Sequence, residues 1–132
     1  MRRTLNAMTL GAVLCALVGC DGSQRSAFKG ETVNAFNGRV VAGGQPVNFP
    51  ADEKVILRVY HQGSAQMWGI PLQPDGTFKI GWMPIGKYTS VLERASKIAK
   101  GSRSNLTSIP GGFEIVAGQT EYVIDLGKNF KP

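Results

Sequence analysis

The sequence contains a single histidine and only two cysteines, and its one sustained apolar run is short. Each scarcity removes a class of function. A zinc site draws several His, Cys or carboxylate ligands into one geometry, and neither an HExxH pair nor a His/Cys cluster exists to supply them. No GxSxG elbow presents a serine nucleophile, and His61 alone does not make a Ser, His and Asp triad specific. Calcium loops need several converging oxygen donors, whereas "QPDGTF" offers only Asp75, which reads as a turn former. Asp52 and Glu53 are adjacent on an expected loop, and nothing in their spacing sets a pair of carboxylates across a glycosidic bond. Arginine-rich arms, paired zinc-ligand motifs and RNA-binding motifs are missing, so nucleic acid is not an expected partner. The chain is expected to be no enzyme and to carry no cofactor or metal.

What is present begins at the amino terminus. Arg2 and Arg3 precede a mostly apolar run from Leu5 to Gly19, which ends in small residues before Cys20. A basic start, a short apolar core and a small-residue exit are the parts of an export signal, and the core is too short to span a bilayer comfortably. Segment 1–19 is therefore expected to be a signal and no part of the folded domain. A disulfide between Cys15 and Cys20 is not expected, because Cys15 lies in the apolar core and leaves with it. The exported domain then holds together by packing, without a cysteine pair.

The block "LVGC", Leu17 to Cys20, resembles the lipobox of bacterial lipoproteins. The resemblance implies a diacylglycerol on the Cys20 thiol, cleavage just before Cys20, and acylation of the new amino terminus. Several acyl chains on one residue matter because one chain holds a protein only reversibly. Two other readings stay open on the residues alone: an ordinary signal whose removal leaves Cys20 free, and an uncleaved anchor. Asp21 follows directly. In well-studied Gram-negative lipoproteins that position retains the protein in the inner membrane, which favours the inner over the outer membrane on the extracytoplasmic face.

Residues 20–32 are polar and read as a lipidated cysteine with a tether, leaving 33–132 for one small domain with a modest core. Of 15 Lys and Arg, Arg2 and Arg3 leave with the signal, so 13 stand against 9 Asp and Glu, a balance of +4. That charge permits contact with anionic lipid or polymer without specifying it.

Within the domain, apolar residues recur in short alternating runs between Gly, Pro, Asn and Asp. "FNGRVV" reads as a strand followed by the turn "AGGQPV". "KVILRVY" places Val55, Leu57 and Val59 on one face and Ile56, Arg58 and Tyr60 on the other. "AQMWGIPL" is a less regular strand that Pro71 moves toward an edge. Pro74, Asp75 and Gly76 form a turn into a strand through Phe78 and Ile80. Pro84 and Gly86 precede another strand, with Tyr88, Ser90 and Leu92 alternating against Thr89, Val91 and Glu93. A polar stretch from Ser96 to Ser108 reads as a surface loop. "GGFEIVAGQTEYVIDL" closes the chain as two strands joined around Gly118 and Gln119. About seven short strands and no long amphipathic helix predict an all-β fold, a single Greek-key β-sandwich.

Between Phe36 and Leu126 the ordered series resembles the carboxypeptidase regulatory-like family of transthyretin-like, prealbumin-type sandwiches. Gly38 and Val40 match its opening G-x-V, Gly44 to Val47 its G-x-P-V turn, Asp75, Gly76 and Phe78 its D-G-x-F, and Pro84, Gly86, Lys87 and Tyr88 its P-x-G-x-Y. The chain departs from the pattern at "NFPADEK", between Val47 and Val55. With its signal and tether it also resembles short planctomycete-type lipoproteins. The resemblance implies an accessory, folding or binding module, because the catalytic domain that such sandwiches accompany in metallocarboxypeptidases has no room here.

Candidate contacts follow from this frame. Trp68, Trp82 and Tyr60 are candidate ligand-binding aromatics for an envelope polysaccharide, with core packing the competing role. Core packing is the favoured reading for Trp82, and Trp68 is the better candidate for exposure. Arg94, Lys97, Lys100 and Arg103 recur every three residues in a stretch expected to be a solvated loop, with anionic headgroups or envelope polymer as their functional partner. His61, at a strand end, is expected to be hydrogen-bonded or exposed. "NLT" at 105–107 fits a glycosylation acceptor, a coincidence in a bacterial setting. Expected partners are the membrane, through the lipid, and an envelope protein or polysaccharide.

Overall fold

The computed structural model describes residues 28–97, 101 and 103–132. Among them every regular element is a strand: β1 (Thr32–Val33), β2 (Phe36–Ala42), β3 (Gln45–Pro46), β4 (Glu53–His61), β5 (Met67–Pro71), β6 (Thr77–Ile80), β7 (Met83–Pro84), β8 (Gly86–Ser96), β9 (Asn105–Ser108), β10 (Phe113–Ile115) and β11 (Glu121–Asp125). They form three sheets, two of them large enough to build a core.

The larger sheet grows from β4 and β8, whose antiparallel ladder runs unbroken from Glu53 opposite Ser96 to His61 opposite Tyr88. Both sequences alternate, so both bury one face: Val55, Leu57 and Val59 from β4, Tyr88, Ser90 and Leu92 from β8. β5 is the outer strand beyond β4, with Pro71 opposite Ile56, as the proline foretold. β9 and β10 share the other side of β8, one after the other.

The second sheet centres on β2. β6 and β3 take one side of it and β11 the other, the latter pairing parallel from Glu121 opposite Asn37 to Asp125 opposite Val41. Ala42 and Gln45 close the β2–β3 hairpin around Gly43 and Gly44, whose φ values of 56° and 81° suit the two-residue turn that matches strand twist. The small β1–β7 pair continues the β2–β6 ladder. Thr32 opposite Pro84 and Val33 opposite Met83 are in register with Phe36 opposite Ile80, and the two-residue break sets Asn34 and Ala35 against Trp82 and Gly81.

The two large sheets share one core. Phe36, Val40, Phe78, Tyr122 and Ile124 from one face Leu57, Val59, Ile70, Tyr88, Leu92 and Ile115 from the other. Phe36 is its aromatic hub, with ring centroids 4.8 Å from Tyr122, 5.0 Å from Phe78 and 5.7 Å from Phe113. Beyond Phe113 the stack continues to Tyr88 at 5.3 Å. The departure "NFPADEK" also contributes: Phe49 is buried, its N–H donates to the Pro74 carbonyl at 2.7 Å, and β4 starts directly after a turn closed by the Glu53 N–H on Pro50.

Three expectations change. The stretch from Ser96 to Ser108 is not all loop, since β8 reaches Ser96 and β9 pairs back onto β8 with Leu106 opposite Glu93. Polar composition concealed β9 because every one of its residues is exposed, so no apolar alternation marks it. The last two strands do not form a hairpin: β10 joins the larger sheet and β11 crosses to β2. The strand number among the described residues exceeds seven because two-residue pairings such as β1, β3 and β7 are too short for a periodic pattern to reveal. The segment read as tether through Thr32 meets the domain from Phe28 onward: its ring lies 5.7 Å from His61, and the Glu31 carbonyl accepts from Ile85 N–H. Cys20 and Asp21, with the signal, lie outside the described residues.

Candidate functional site

At one end of the sandwich, β5 of the larger sheet and the end of β6 of the smaller come together. Trp68, alternating with buried Ile70, points inward at this margin, and Trp82 follows Gly81 in the ladder break. Their rings meet edge to face at 6.4 Å, and Trp68 in turn lies 6.1 Å from Tyr88. Trp82 is 52% exposed, while Trp68 is half-buried against the core. This reverses the sequence expectation for both residues. Trp82 shares the inward parity of Phe78 and Ile80, but Gly81 bends the chain and the ladder opens beside it, so the indole reaches the rim. Trp68 sits on an edge strand, yet its parity directs it inside.

Tyr60 does not join them. It is 39% exposed on the opposite face of the larger sheet, across from Met67, which is 45% exposed. On that outer face Arg58 pairs with Glu93 and also approaches the Met67 sulfur at 3.7 Å. The three aromatics therefore form no single platform.

His61 lies next to the tryptophan end. Its Nδ1 is 3.0 Å from the Ser64 hydroxyl and its Nε2 is 3.2 Å from the Ile85 carbonyl, to which it donates. Its ring packs edge to face on Tyr88 at 5.1 Å. Both ring nitrogens are engaged within the fold, the hydrogen-bonded role expected for it. Burial pushes the Tyr88 phenol far up, so it stays protonated and donates to the Pro84 carbonyl at 2.7 Å.

The structure does not gather the basic series. Arg94 belongs to β8 and its side chain closes the far end of the core, bonded to Glu53 at 2.7 Å and lying 5.9 Å over the Phe49 ring. Even alternation with Leu92 turns it inward, where a helical or loop reading placed it in solvent. Lys97 is exposed and donates to the Ala51 carbonyl at 2.8 Å. Arg103 is exposed, and Lys100 lies outside the described residues.

Asp75 and Asp125 shape turns. Asp75 accepts from the Thr77 hydroxyl at 2.7 Å and its N–H at 3.0 Å, and these bonds lower its carboxyl below the ordinary 3.8. Asp125 accepts from the N–H groups of Gly127 and Gly43, both at 2.8 Å, and is lowered for that reason. Depressed folded-state values stabilise the fold above the unfolded-chain value and lose that contribution as pH falls through the folded ones. Urea midpoints measured from pH 5 downward are therefore expected to drop below about 3.8, and Asp125→Asn should flatten the drop. An unchanged acid profile in that variant would contradict the assignment.

One feature escaped sequence reasoning. A cleft of about 210 Å³ opens between the sheets, lined by Ser90, Ile109, Phe113, Val123 and Ile124 among others. It flanks β11, an outer strand of its sheet. The alternation of "EYVID" marks a strand, but edge position depends on what pairs with it, which no local pattern carries.

No family model matches the sequence. No curated protein matches it either. Among solved structures, a DUF3823 family protein from Parabacteroides merdae ATCC 43184 is similar over 73% of this chain and 46% of its own, with 20% identity and a TM-score of 0.45. This chain thus spans less than half the length of that protein.

Proposed function

We propose that this chain is a non-catalytic lipoprotein of the bacterial cell envelope, anchored through Cys20 on the extracytoplasmic face of the membrane, inner rather than outer, with its β domain serving as a structural or protein-interaction module. The observation that carries the reading is Cys20 directly behind Leu17, Val18 and Gly19, at the end of a short apolar run headed by Arg2 and Arg3. A non-catalytic role is supported by the engagement of both His61 ring nitrogens inside the fold.

The finer fold assignment, a carboxypeptidase regulatory-like Greek-key sandwich of prealbumin type, belongs to the same proposal. Its support is that the matching motifs fall where the backbone needs them. Gly44 and Pro46 lie in the β2–β3 hairpin, Asp75 and Gly76 in the turn entering β6, and Gly38 where β11 runs close beside β2.

Fractionation tests the anchor. The wild type is expected in the membrane pellet, released by detergent and not by high salt, while Cys20→Ala moves to the soluble fraction, because the lipid and not surface charge supplies the attachment. Retention of the alanine variant in the membrane would overturn the reading.

A second reading, binding of an envelope polysaccharide, is favoured by the exposure of Trp82 and its support by Trp68. A half-exposed indole held edge-on by a second ring can stack on a sugar face. Trp82→Ala should leave the melting temperature nearly unchanged yet weaken binding of soluble glycan fragments, followed by tryptophan fluorescence, by about 1 kcal/mol or roughly five-fold. Equal binding by the variant, or none by the wild type, removes this reading.

A further inference from the structure

Among the described residues, β11 is paired on one side only. Its parallel ladder turns alternate main-chain groups toward β2: Leu126 N–H donates to the Val41 carbonyl at 2.7 Å, and Tyr122 and Ile124 share that direction. The N–H and C=O groups of Glu121, Val123 and Asp125 consequently point to the open side. Among the described residues, Gln119 reaches the Glu121 carbonyl, and no hydrogen bond ends on the main chain of Val123.

Side chains alternate as well. Glu121, Val123 and Asp125 are exposed on the outer face, with Val123 at 65%, while Tyr122 and Ile124 are buried. The cleft lies along this edge on the inner side, between Ile124 and the 109–113 segment of the facing sheet. At about 210 Å³ it is smaller than the pockets that enclose small-molecule ligands and suits an apolar side chain.

We infer that the open edge of β11 is a docking site for an extended peptide segment that alternates basic or apolar residues outward with apolar residues inward. Such a segment adds a strand beside Val123, sets Lys or Arg opposite Glu121 and Asp125, and drops an apolar side chain into the cleft. Main-chain bonds supply affinity and the alternate side chains supply selection. Charge decides against a second copy of this chain. The antiparallel register that overlaps two β11 strands fully sets Glu121 against Asp125 of the other molecule, and like charges directly opposite destabilise a pair. Asp125 is held ionised by its two N–H donors. The neighbouring cations do not cancel this selection: Arg39 is one strand further in, opposite Val123, and Lys128 follows the strand. Other edges are less suited, since β5 carries Pro71 and faces Trp82 through Trp68, and β9 is shorter.

The inference rests on the interaction-module reading and sharpens it to one edge and one partner chemistry. The test uses the full-length, detergent-solubilised protein and a fluorescein-labelled peptide alternating Lys, Leu, Val, Leu and Lys, read by anisotropy. Binding is expected, with Glu121→Lys weakening it two- to five-fold and restoring it for a peptide carrying Glu in place of Lys. Val123→Pro should reduce binding at least ten-fold. Among the described residues its N–H serves no internal bond, so the fold is expected to survive, and an unchanged circular dichroism spectrum would establish that. As a second blocking variant, Val123→Lys keeps the main chain intact and should weaken the Lys peptide. Failure of the wild type to bind, equal binding by all three variants, or equal preference for the Glu peptide overturns the proposal. Crosslinking in cells separates the two claims: a crosslink to an envelope protein that Val123→Pro leaves intact sinks the β11 site and spares the module, whereas a wild type that forms no crosslink and binds no peptide sinks both.

Discussion

Replacing Phe36 with alanine is expected to cost about 3–5 kcal/mol of folding stability, the range for truncating a fully buried phenylalanine. Phe36 is wholly shielded from solvent and touches aromatic rings from both sheets, Phe78 and Tyr122 on its own and Phe113 on the facing one. Its loss removes the contact that holds the two layers together at their centre. The surrounding rings belong to three different strands, so they cannot collapse into the space without moving those strands. For a domain near 100 residues the cost lowers the melting temperature by on the order of 15–30 °C. Calorimetry reads the shift directly. Phe36→Leu, which keeps most of the volume, should lose less than half as much. A shift of only a few degrees in the alanine variant would show that the sheets are not joined through this ring.

Gly38→Ala should be comparably severe for a different reason. A Cβ at position 38 would run into the Tyr122 carbonyl oxygen and lie 2.8 Å from the Phe78 ring. The carbonyl is main chain, so no rotamer change relieves the clash, and β11 must move off β2. Overpacking of this kind costs typically 1–3 kcal/mol and more when backbone is the obstacle, and about 3 kcal/mol is expected here from urea unfolding. Gly69→Ala is the control. There a Cβ meets only Ile56 at 3.4 Å, ordinary contact, and the substitution is expected to be neutral or slightly stabilising by restricting the unfolded chain. If both alanines behave alike, the close approach of β11 to β2 is not what requires glycine at position 38.

The parts of the fold that could be read from the sequence are those where burial and backbone geometry act locally. β4 was legible because Val55, Leu57 and Val59 alternate strictly, and the β2–β3 hairpin because Gly43 and Gly44 supply the positive φ that a two-residue turn demands. Pro71 correctly marked an outer strand. The misreadings share one cause, dependence on a partner distant in sequence. β9 is recognisable as a strand only by its ladder with β8, and β11 pairs with β2, where Gly38 leaves room for the Tyr122 carbonyl.

The candidate site follows the same division. The hydrogen bonding of His61 and the turn role of Asp75 came from local chemistry and are seen in the structure. Residue type alone could not order the tryptophans by exposure, since a bend at Gly81 and a break in pairing decide where Trp82 goes. Arg94 looked like one member of a basic series until strand parity turned it toward Glu53 and Phe49. The open edge of β11 and its cleft were invisible in the sequence for the same reason, because both are properties of two sheets and not of one segment.

The intact mass of the protein extracted from its native membrane shows whether Cys20 carries the lipid anchor. The expected chain starts at Cys20 and carries the added mass of a diacylglycerol and an amino-terminal acyl group, with the acyl mass mapping to the first residue on fragmentation. A chain that still begins at Met1, or one cut elsewhere with Cys20 as a free thiol, would contradict it.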